Sequence, residues 1–332
     1  MRSASRSQRR SNPTAGMPSL QPETPPDGSQ RGIVVRAYGK YFDVHLYDED
    51  RVILCTVRGA VRRVRRGTDL VAVGDYVWAS DNGDDEGQIE FIEPRKRSLA
   101  RLARNTNDVE QIILANPDQA LFTFAWKEPE PHARMLDRFL VLAESRGLPA
   151  VIGVNKVELD EEGHPGIDAF FADYASIYPL LLFSVKSNIG LDAVRACLQD
   201  KVTVVAGPSG VGKSTLLNAI HPEGARLIGD ISEATGKGRH TTTSTVLYEI
   251  DPTTFVADTP GIRALALQGV APEQLPECFP EFRPYLGNCF YADCTHIHEP
   301  GCAVLEARDR GDISLNRWES YRSLRSGLDE NQ

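Results

Sequence analysis

The sequence contains no apolar run approaching the roughly 18 residues that a membrane-spanning helix needs; its longest hydrophobic stretches are strand-sized. Cysteine is scarce, six in 332 residues, and no apolar leader-like stretch precedes them, which excludes a disulfide-built scaffold and fits a reducing cytoplasm. Basic charge is not in excess either. Lysine and arginine number 37 against 46 acids, so any contact with nucleic acid must rest on a local basic surface. A hydrophobic content of 41% is too high for wholesale disorder, and the length allows two or three domains.

Four segments follow from the text of the chain. Residues 1–30 are rich in Ser, Pro, Arg and Gln and nearly free of apolar material, as expected of a disordered tail. Its Arg/Ser-rich, acid-poor start is also compatible with an organelle transit peptide, and Met17 is an alternative start. Residues 31–97 carry short β-like runs at Gly32–Ala37, Tyr41–Leu46, Val52–Arg58, Asp75–Ala79 and Gln88–Ile92, separated by turn clusters. Five such strands predict a small closed barrel of the OB or SH3-like kind. From 98 to 265 strands and helices alternate, which predicts a mostly parallel sheet covered on both faces and starting near Gln111. Residues 266–332 are short, Pro-rich and cysteine-bearing, with a helix expected around Leu315–Leu324.

The most specific motif is Gly207-Pro208-Ser209-Gly210-Val211-Gly212-Lys213-Ser214, which follows the predicted strand Val202–Ala206 and precedes a helix beginning near Thr215. Glycines allow backbone N–H groups to curl around phosphate oxygens, and the helix N-terminus adds favourable electrostatics. Lys213 is placed to reach the β- and γ-phosphates, and the Ser214 hydroxyl to bind Mg²⁺.

Asp258-Thr-Pro-Gly261 follows an apolar strand, so that Asp258 can hold Mg²⁺ through water and the Gly261 N–H can meet a γ-phosphate. Between these motifs lies Gly236-Lys-Gly-Arg-His240-Thr-Thr242-Thr243, a polar loop suited to a nucleotide switch; Thr242, with Thr243 as the alternative, is the expected Mg²⁺ contact. Position 262, where many GTPases carry a water-orienting glutamine, is Ile262, which leaves His240 as the nearest polar candidate for that task.

Asn155-Lys156-Val157-Glu158 follows the strand Ala150–Val154 in the manner of an N-K-x-D guanine reader. A carboxylate there accepts from both the ring N1–H and the exocyclic amine of guanine, which adenine does not offer; Glu158 supplies it on one extra methylene. Ser184-Val-Lys186 resembles the S-A-K loop that closes over the base. Ordinary small GTPases present the phosphate loop before these two motifs. Here the order is reversed, so the domain is expected to be circularly permuted, with the D-x-x-G segment running directly into the C-terminal module and able to move it.

Cys289, Cys294, His296 and Cys302 crowd three thiolates and an imidazole into fourteen residues. Such a set suits tetrahedral, structural Zn²⁺, and His298 is an alternative fourth ligand by spacing. Metal binding supplies folding energy to so small a module.

A β-barrel, a permuted P-loop α/β GTPase domain and a Cys₃His module, in that order, resemble the ribosome small subunit-dependent GTPase RsgA (YjeQ) family. The resemblance rests on GPSGVGKS, GRHTTT, DTPG and CTHIHEPGCAV and covers about residues 31–325. It implies nucleotide contacts at Asn155–Glu158 and Gly207–Thr215, zinc on Cys289, Cys294, His296 and Cys302, and Mg²⁺ bound with GTP. It further implies a monomeric cytoplasmic factor acting late in assembly of the 30S subunit, with GTP hydrolysis stimulated by that subunit and its rRNA, and no membrane partner. The family usually has Asp where Glu158 stands. Arg62, Arg63, Arg65 and Arg66 supply a local basic cluster for RNA phosphates. Two alternatives remain open at this stage: a GTP-gated RNA-binding switch with incidental hydrolysis, and a P-loop ATPase or metabolite kinase.

Overall fold

Alternating apolar and polar side chains close the N-terminal strands into a barrel. In the computed structural model, which describes residues 24–59, 70–102, 110–160, 166–221, 245–258 and 270–327, these strands are β1 (Gln30–Tyr38), β2 (Tyr41–Leu46), β3 (Arg51–Val57), β4 (Tyr76–Gly83) and β5 (Glu86–Ile92). They pair in the order β1-β2-β3-β5-β4 and close through β1 and β4; β3 and β5 are parallel and every other pair is antiparallel. That is the OB arrangement. Ile53, Cys55 and Val57 point inward from β3 to join Val34, Val44, Val77 and Ile89, while Val52 and Leu54 face outward, as the two-residue period of a strand dictates. Asp75, fully buried at the head of β4, accepts two 2.7 Å hydrogen bonds from Arg95 and so ties the end of the barrel to its outgoing chain.

The next two strands, β6 (Ser98–Leu102) and β7 (Glu110–Ala115), pair only with each other. This corrects the expectation that the main sheet starts near Gln111. Ile112, Leu114 and Ala115 are as buried as a sheet-core strand, but they are buried against the underside of the barrel. The main sheet begins one strand later. It comprises β8 (Gln119–Ala125), β9 (Ala150–Asn155), β10 (Leu180–Leu182), β11 (Val202–Ala206), β12 (Val246–Asp251) and β13 (Thr254–Asp258), in the order β10-β9-β8-β11-β13-β12. All neighbours are parallel except the edge pair β12–β13.

Because successive strand residues face opposite sides, the sheet's apolar strands supply two cores. Phe122, Phe124, Ile152, Val154 and Val204 meet α1 (Ala133–Ser145) and α2 (Ile167–Ala175); Leu121, Val151, Val205 and Val256 meet α3 (Leu191–Leu198) and α4 (Lys213–Ile220). The fold is therefore a P-loop α/β sheet in permuted order, preceded by an OB-like barrel.

The C-terminal module consists of two 3₁₀ segments, Leu275–Cys278 and Pro280–Tyr285, then α5 (Ala303–Arg310) and α6 (Leu315–Arg325). Phe279, Phe282, Trp318 and Tyr321 form its core, and Val141 of α1 is inserted into it. Beside this apolar seam Arg317 is almost completely buried, paired with Asp137 of α1 and, at 2.6 Å, with Glu281, and stacked over Tyr174 of α2 and Phe279. Burial opposes its charge, but the carboxylates of Asp137 and Glu281 outweigh that cost and hold the guanidinium above its ordinary pKa. The D-x-x-G connection is thus not the module's only link to the sheet: it is also bolted to α1.

Removing one member of a buried ion cluster leaves the others uncompensated. Arg317→Ala should destabilise the docking of the module by about 3–5 kcal/mol, read as faster amide exchange across Leu275–Leu324 with the β8–β11 core still protected. A change below about 1 kcal/mol would mean that the apolar seam alone holds the module.

Candidate functional site

The glycine-rich loop lies between β11 and α4, with Lys213 as the first residue of the helix and Gly212 at its N-cap. Two glycines are required by what surrounds them. A Cβ on Gly207 would sit 1.9 Å from the Thr123 carbonyl oxygen of the neighbouring strand β8. Gly212 has φ +92°, and a Cβ there would sit 2.5 Å from Asn155 Nδ2. Val211 is fully buried and pins the loop to the sheet, whereas Ser209, Gly210, Ser214 and Thr215 are exposed at its mouth. Lys213 Nζ donates to the carbonyls of Gly207 (3.0 Å) and Pro208 (2.7 Å), so the ammonium lies back across the loop's own concavity.

Asn155, buried at the end of β9, joins three motifs. Its Nδ2 donates to the Val211 carbonyl at 2.9 Å, and its Oδ1 accepts from the amides of Lys156 (2.8 Å) and Val185 (3.2 Å). The Val185 loop is set by Ser184, which is fully buried, exchanges backbone hydrogen bonds with Ile189 and accepts the Ser187 amide on its Oγ at 3.0 Å. Lys186 is exposed beyond it. Lys156 takes a left-handed conformation, φ +63°, which turns the chain into the 3₁₀ segment Val157–Leu159 that carries Glu158. Oε2 of Glu158 is sealed from solvent and has no hydrogen-bond partner among the described residues. An unmet acceptor of this kind is costly unless a donor arrives.

No motif pointed to the segment after β8. Trp126 continues that strand, its backbone N–H donating a hydrogen bond to the Asn155 carbonyl (2.9 Å), Glu128 offers its carbonyl to Lys156 Nζ, and Pro129 borders Gly210. A wall therefore rises on the open side of the phosphate loop. On the other side Asp258 ends β13, in register with Val205 of β11. The side chain of Asp258, the loop residues His240, Thr242 and Thr243, Gly261 with Ile262, and the Arg62–Arg66 cluster lie outside the described residues.

The second constellation sits in the C-terminal module. Cys289 Sγ and Cys302 Sγ are 3.8 Å apart, and His296 Nδ1 lies 3.5 Å from the first and 3.4 Å from the second. Ligands spaced tetrahedrally around a Zn²⁺-sized ion, with bonds of about 2.3 Å to sulfur and about 2.0 Å to nitrogen, would be separated by about 3.8 Å and about 3.5 Å. Cys294 completes a four-atom set in which all members lie within 4.8 Å of one another. His298 is exposed and is not part of it. Burial pushes the Cys294 thiol up to about 12 and lowers the His296 pKa, so without a cation this cavity favours neutral groups; a dication reverses that preference for the thiols.

The knuckle that presents His296, at φ +61°, is held by residues the ligand pattern does not reveal. Trp318 Nε1 donates to the His296 carbonyl (2.9 Å), and Tyr321 OH to that of Thr295 (2.7 Å). Glu299 accepts the amides of Thr295, Ile297 and His298 as well as the Thr295 hydroxyl. Desolvation works against its charge, yet these donors hold it well below the usual carboxylate range. Its only sequence signal is a glutamate between the histidines and the last cysteine.

Comparisons with known proteins agree with this geometry. Residues 92–268 match the family model described as RsgA GTPase. The small ribosomal subunit biogenesis GTPase RsgA of Gemmatimonas aurantiaca is 41% identical over 304 residues, covering 90% of this chain and 98% of that protein. The protein of the same name from Chlorobaculum tepidum is 38% identical, with coverage of 90% and 98%. Among solved structures, YjeQ from Thermotoga maritima superposes with a TM-score of 0.74 at 32% identity, covering 92% of this chain and all of that one. YloQ, described as a circularly permuted GTPase, gives a TM-score of 0.72 at 30% identity.

Elemental analysis of protein purified without added metal should find one metal ion per chain on the Cys₃His set. The Cys294→Ser/Cys302→Ser double variant should lack it, and His298→Ala should keep it. Metal-free wild type, or full retention by the double variant, would contradict this geometry.

Proposed function

The chain belongs to the RsgA GTPase family, and we propose that it couples GTP hydrolysis to the docking of its barrel and C-terminal module on the small ribosomal subunit. As a member of that family it is a GTPase of 30S subunit biogenesis. The proposed division of labour is a tail (1–30), an RNA-binding barrel (31–97), the GTPase domain (98–265) and a zinc-stapled module (266–332).

The observation that carries the reading is the Asn155 bridge, with the unpartnered Glu158 oxygen three residues on in the chain. One carboxamide fixes the distance between the loop that cradles phosphates and the loop that closes over a base, and Glu158 brings the acceptor that guanine, and not adenine, satisfies with two N–H donors. Family membership and this pairing together favour GTP over the ATPase or kinase reading.

In the proposed site the backbone amides of Ser209–Thr215 and the Lys213 ammonium neutralise the phosphates. Ser214, Thr242 and, through water, Asp258 would hold Mg²⁺, which supplies charge stabilisation at the γ-phosphate when bound with the nucleotide. The Gly261 amide is assigned to the γ-phosphate. Ile262 has no group to orient water, and His240 is assigned that role on the subunit. Zinc is the metal proposed for the Cys₃His set, since four protein donors leave no open position for chemistry and suit a structural tetrahedral ion. The exposed Tyr38 and Tyr41, with Lys40 held 5.1 Å over the Tyr41 ring at the β1–β2 turn, supply the aromatic and cationic surface an RNA contact needs. A monomer in the cytoplasm, free of membrane, is the proposed working state.

Turnover of GTP should be slow for the protein alone and rise by at least about tenfold on purified small subunits, which corresponds to only about 1.4 kcal/mol of barrier. His240→Ala should bind subunits normally but lose that stimulation. Unchanged stimulated turnover in the variant would remove His240 from the mechanism, and equal turnover of ATP and GTP would remove the guanine reading.

A further inference from the structure

A buried histidine at the joint between barrel and sheet takes no part in the nucleotide site. His45, next to last in β2, has 1% of its surface exposed. Its ring packs edge-on against Tyr47 and against Phe255 of β13, with centroids 5.7 Å and 5.5 Å away. Nδ1 lies 3.0 Å from Glu249 Oε2 on β12, and Nε2 lies 3.7 Å from Asp50 Oδ1 at the turn into β3. Both nitrogens are sealed from solvent, and neither forms a hydrogen bond of acceptable geometry.

Two carboxylates thus converge on one buried imidazole. Among the described residues no lysine or arginine pairs with Asp50 or Glu249; the neighbouring Arg51 is committed to Glu49, Asp81 and Asp85, and Arg31 to Glu93. A donor atom from each of His45, Asp50 and Glu249 lies within 4.8 Å of the other two. The carboxylates are 60% and 35% exposed, so the cluster opens to water on the side away from the ring. One nitrogen and two hard oxygens, with room for water, form a donor set unlike the soft thiolates of the C-terminal module. Imidazole–carboxylate sites of this kind suit Mn²⁺ and Zn²⁺.

We propose that His45, Asp50 and Glu249 form a second site, for a divalent first-row cation, which joins the barrel to the edge strand of the GTPase sheet. Two ligands come from the barrel and one from β12, the strand that follows the His240 loop in sequence. Occupancy therefore clamps the RNA-facing domain to the strand anchoring that loop. The site stands independently of the nucleotide chemistry proposed above.

The test uses full-length, nucleotide-free protein with its thiolate site loaded with zinc, titrated with Mn²⁺ while the free-ion electron paramagnetic resonance signal is followed. Wild type should bind one Mn²⁺ per chain, and His45→Asn and Glu249→Gln should each weaken that binding by at least about tenfold, as loss of a ligand exceeds the 10- to 100-fold effect typical of its outer partners. Glu249 is half-exposed, so its variant should fold even if replacement of His45 disturbs the joint. Mn²⁺ should also slow amide exchange at Leu247–Glu249 in wild type and not in Glu249→Gln. Absence of saturable binding would overturn the proposal. Binding of equal strength in wild type and both variants would place the ion elsewhere and overturn it as well.

Discussion

The carboxamide of Asn155 is the constraint on which the site depends. Its donor holds the glycine-rich loop through the Val211 carbonyl, and its acceptor holds the Val185 loop, so the two ends of the proposed nucleotide site are set at one spacing by a single rigid group. Because both partners are backbone atoms, the bridge constrains where the loops go without constraining most of their side chains. It also explains Gly212: with Asn155 Nδ2 this close, no side chain fits at the helix N-cap. Buried hydrogen bonds in a low-dielectric interior are costly to leave unmade, which makes such a bridge a rigid element.

Permutation changes what surrounds this core and leaves its sheet intact. The strand order is that of a P-loop domain in which the loops after β9 and β10 precede the glycine-rich loop in the chain, so the D-x-x-G segment leads on to the C-terminal module. That module has a second attachment through Arg317, Asp137 and Glu281. A module fixed at both points cannot simply swing on its tether. The barrel has its own contact with the sheet, where His45 of β2 lies 3.0 Å from Glu249 of the edge strand β12.

Much of this was legible in the sequence because it is local. The phosphate loop, Asn155–Glu158 and the Cys/His spacing are short patterns whose chemistry demands certain residues at certain offsets, and the structure brings the four donors of the last together. The barrel strands could be read as short β-like runs bounded by turn clusters. The misplaced start of the sheet shows the limit: Gln111–Ala115 reads like a buried strand, and only its tertiary neighbours decide that it pairs with β6. Arg317 was invisible for a related reason. Its partner Asp137 lies 180 residues away, and an arginine within a helix expected around Leu315–Leu324 gives no sign of burial. Glu299, Trp318 and Tyr321 likewise support the metal knuckle through backbone atoms, which impose no recognisable spacing.

The central claim is that the framework around Asn155 presents Glu158 to a guanine base. Its most direct test is the ratio of GDP to ADP affinity, measured by calorimetry on wild type and on Glu158→Gln. Losing a charged acceptor of two hydrogen bonds should cost about 1.5–3 kcal/mol. The account predicts a strong preference for GDP in wild type that collapses by at least about tenfold in Glu158→Gln, with ADP affinity unchanged because the phosphate loop is untouched. Equal affinity of wild type for the two nucleotides, or a preference that survives in the variant, would contradict it.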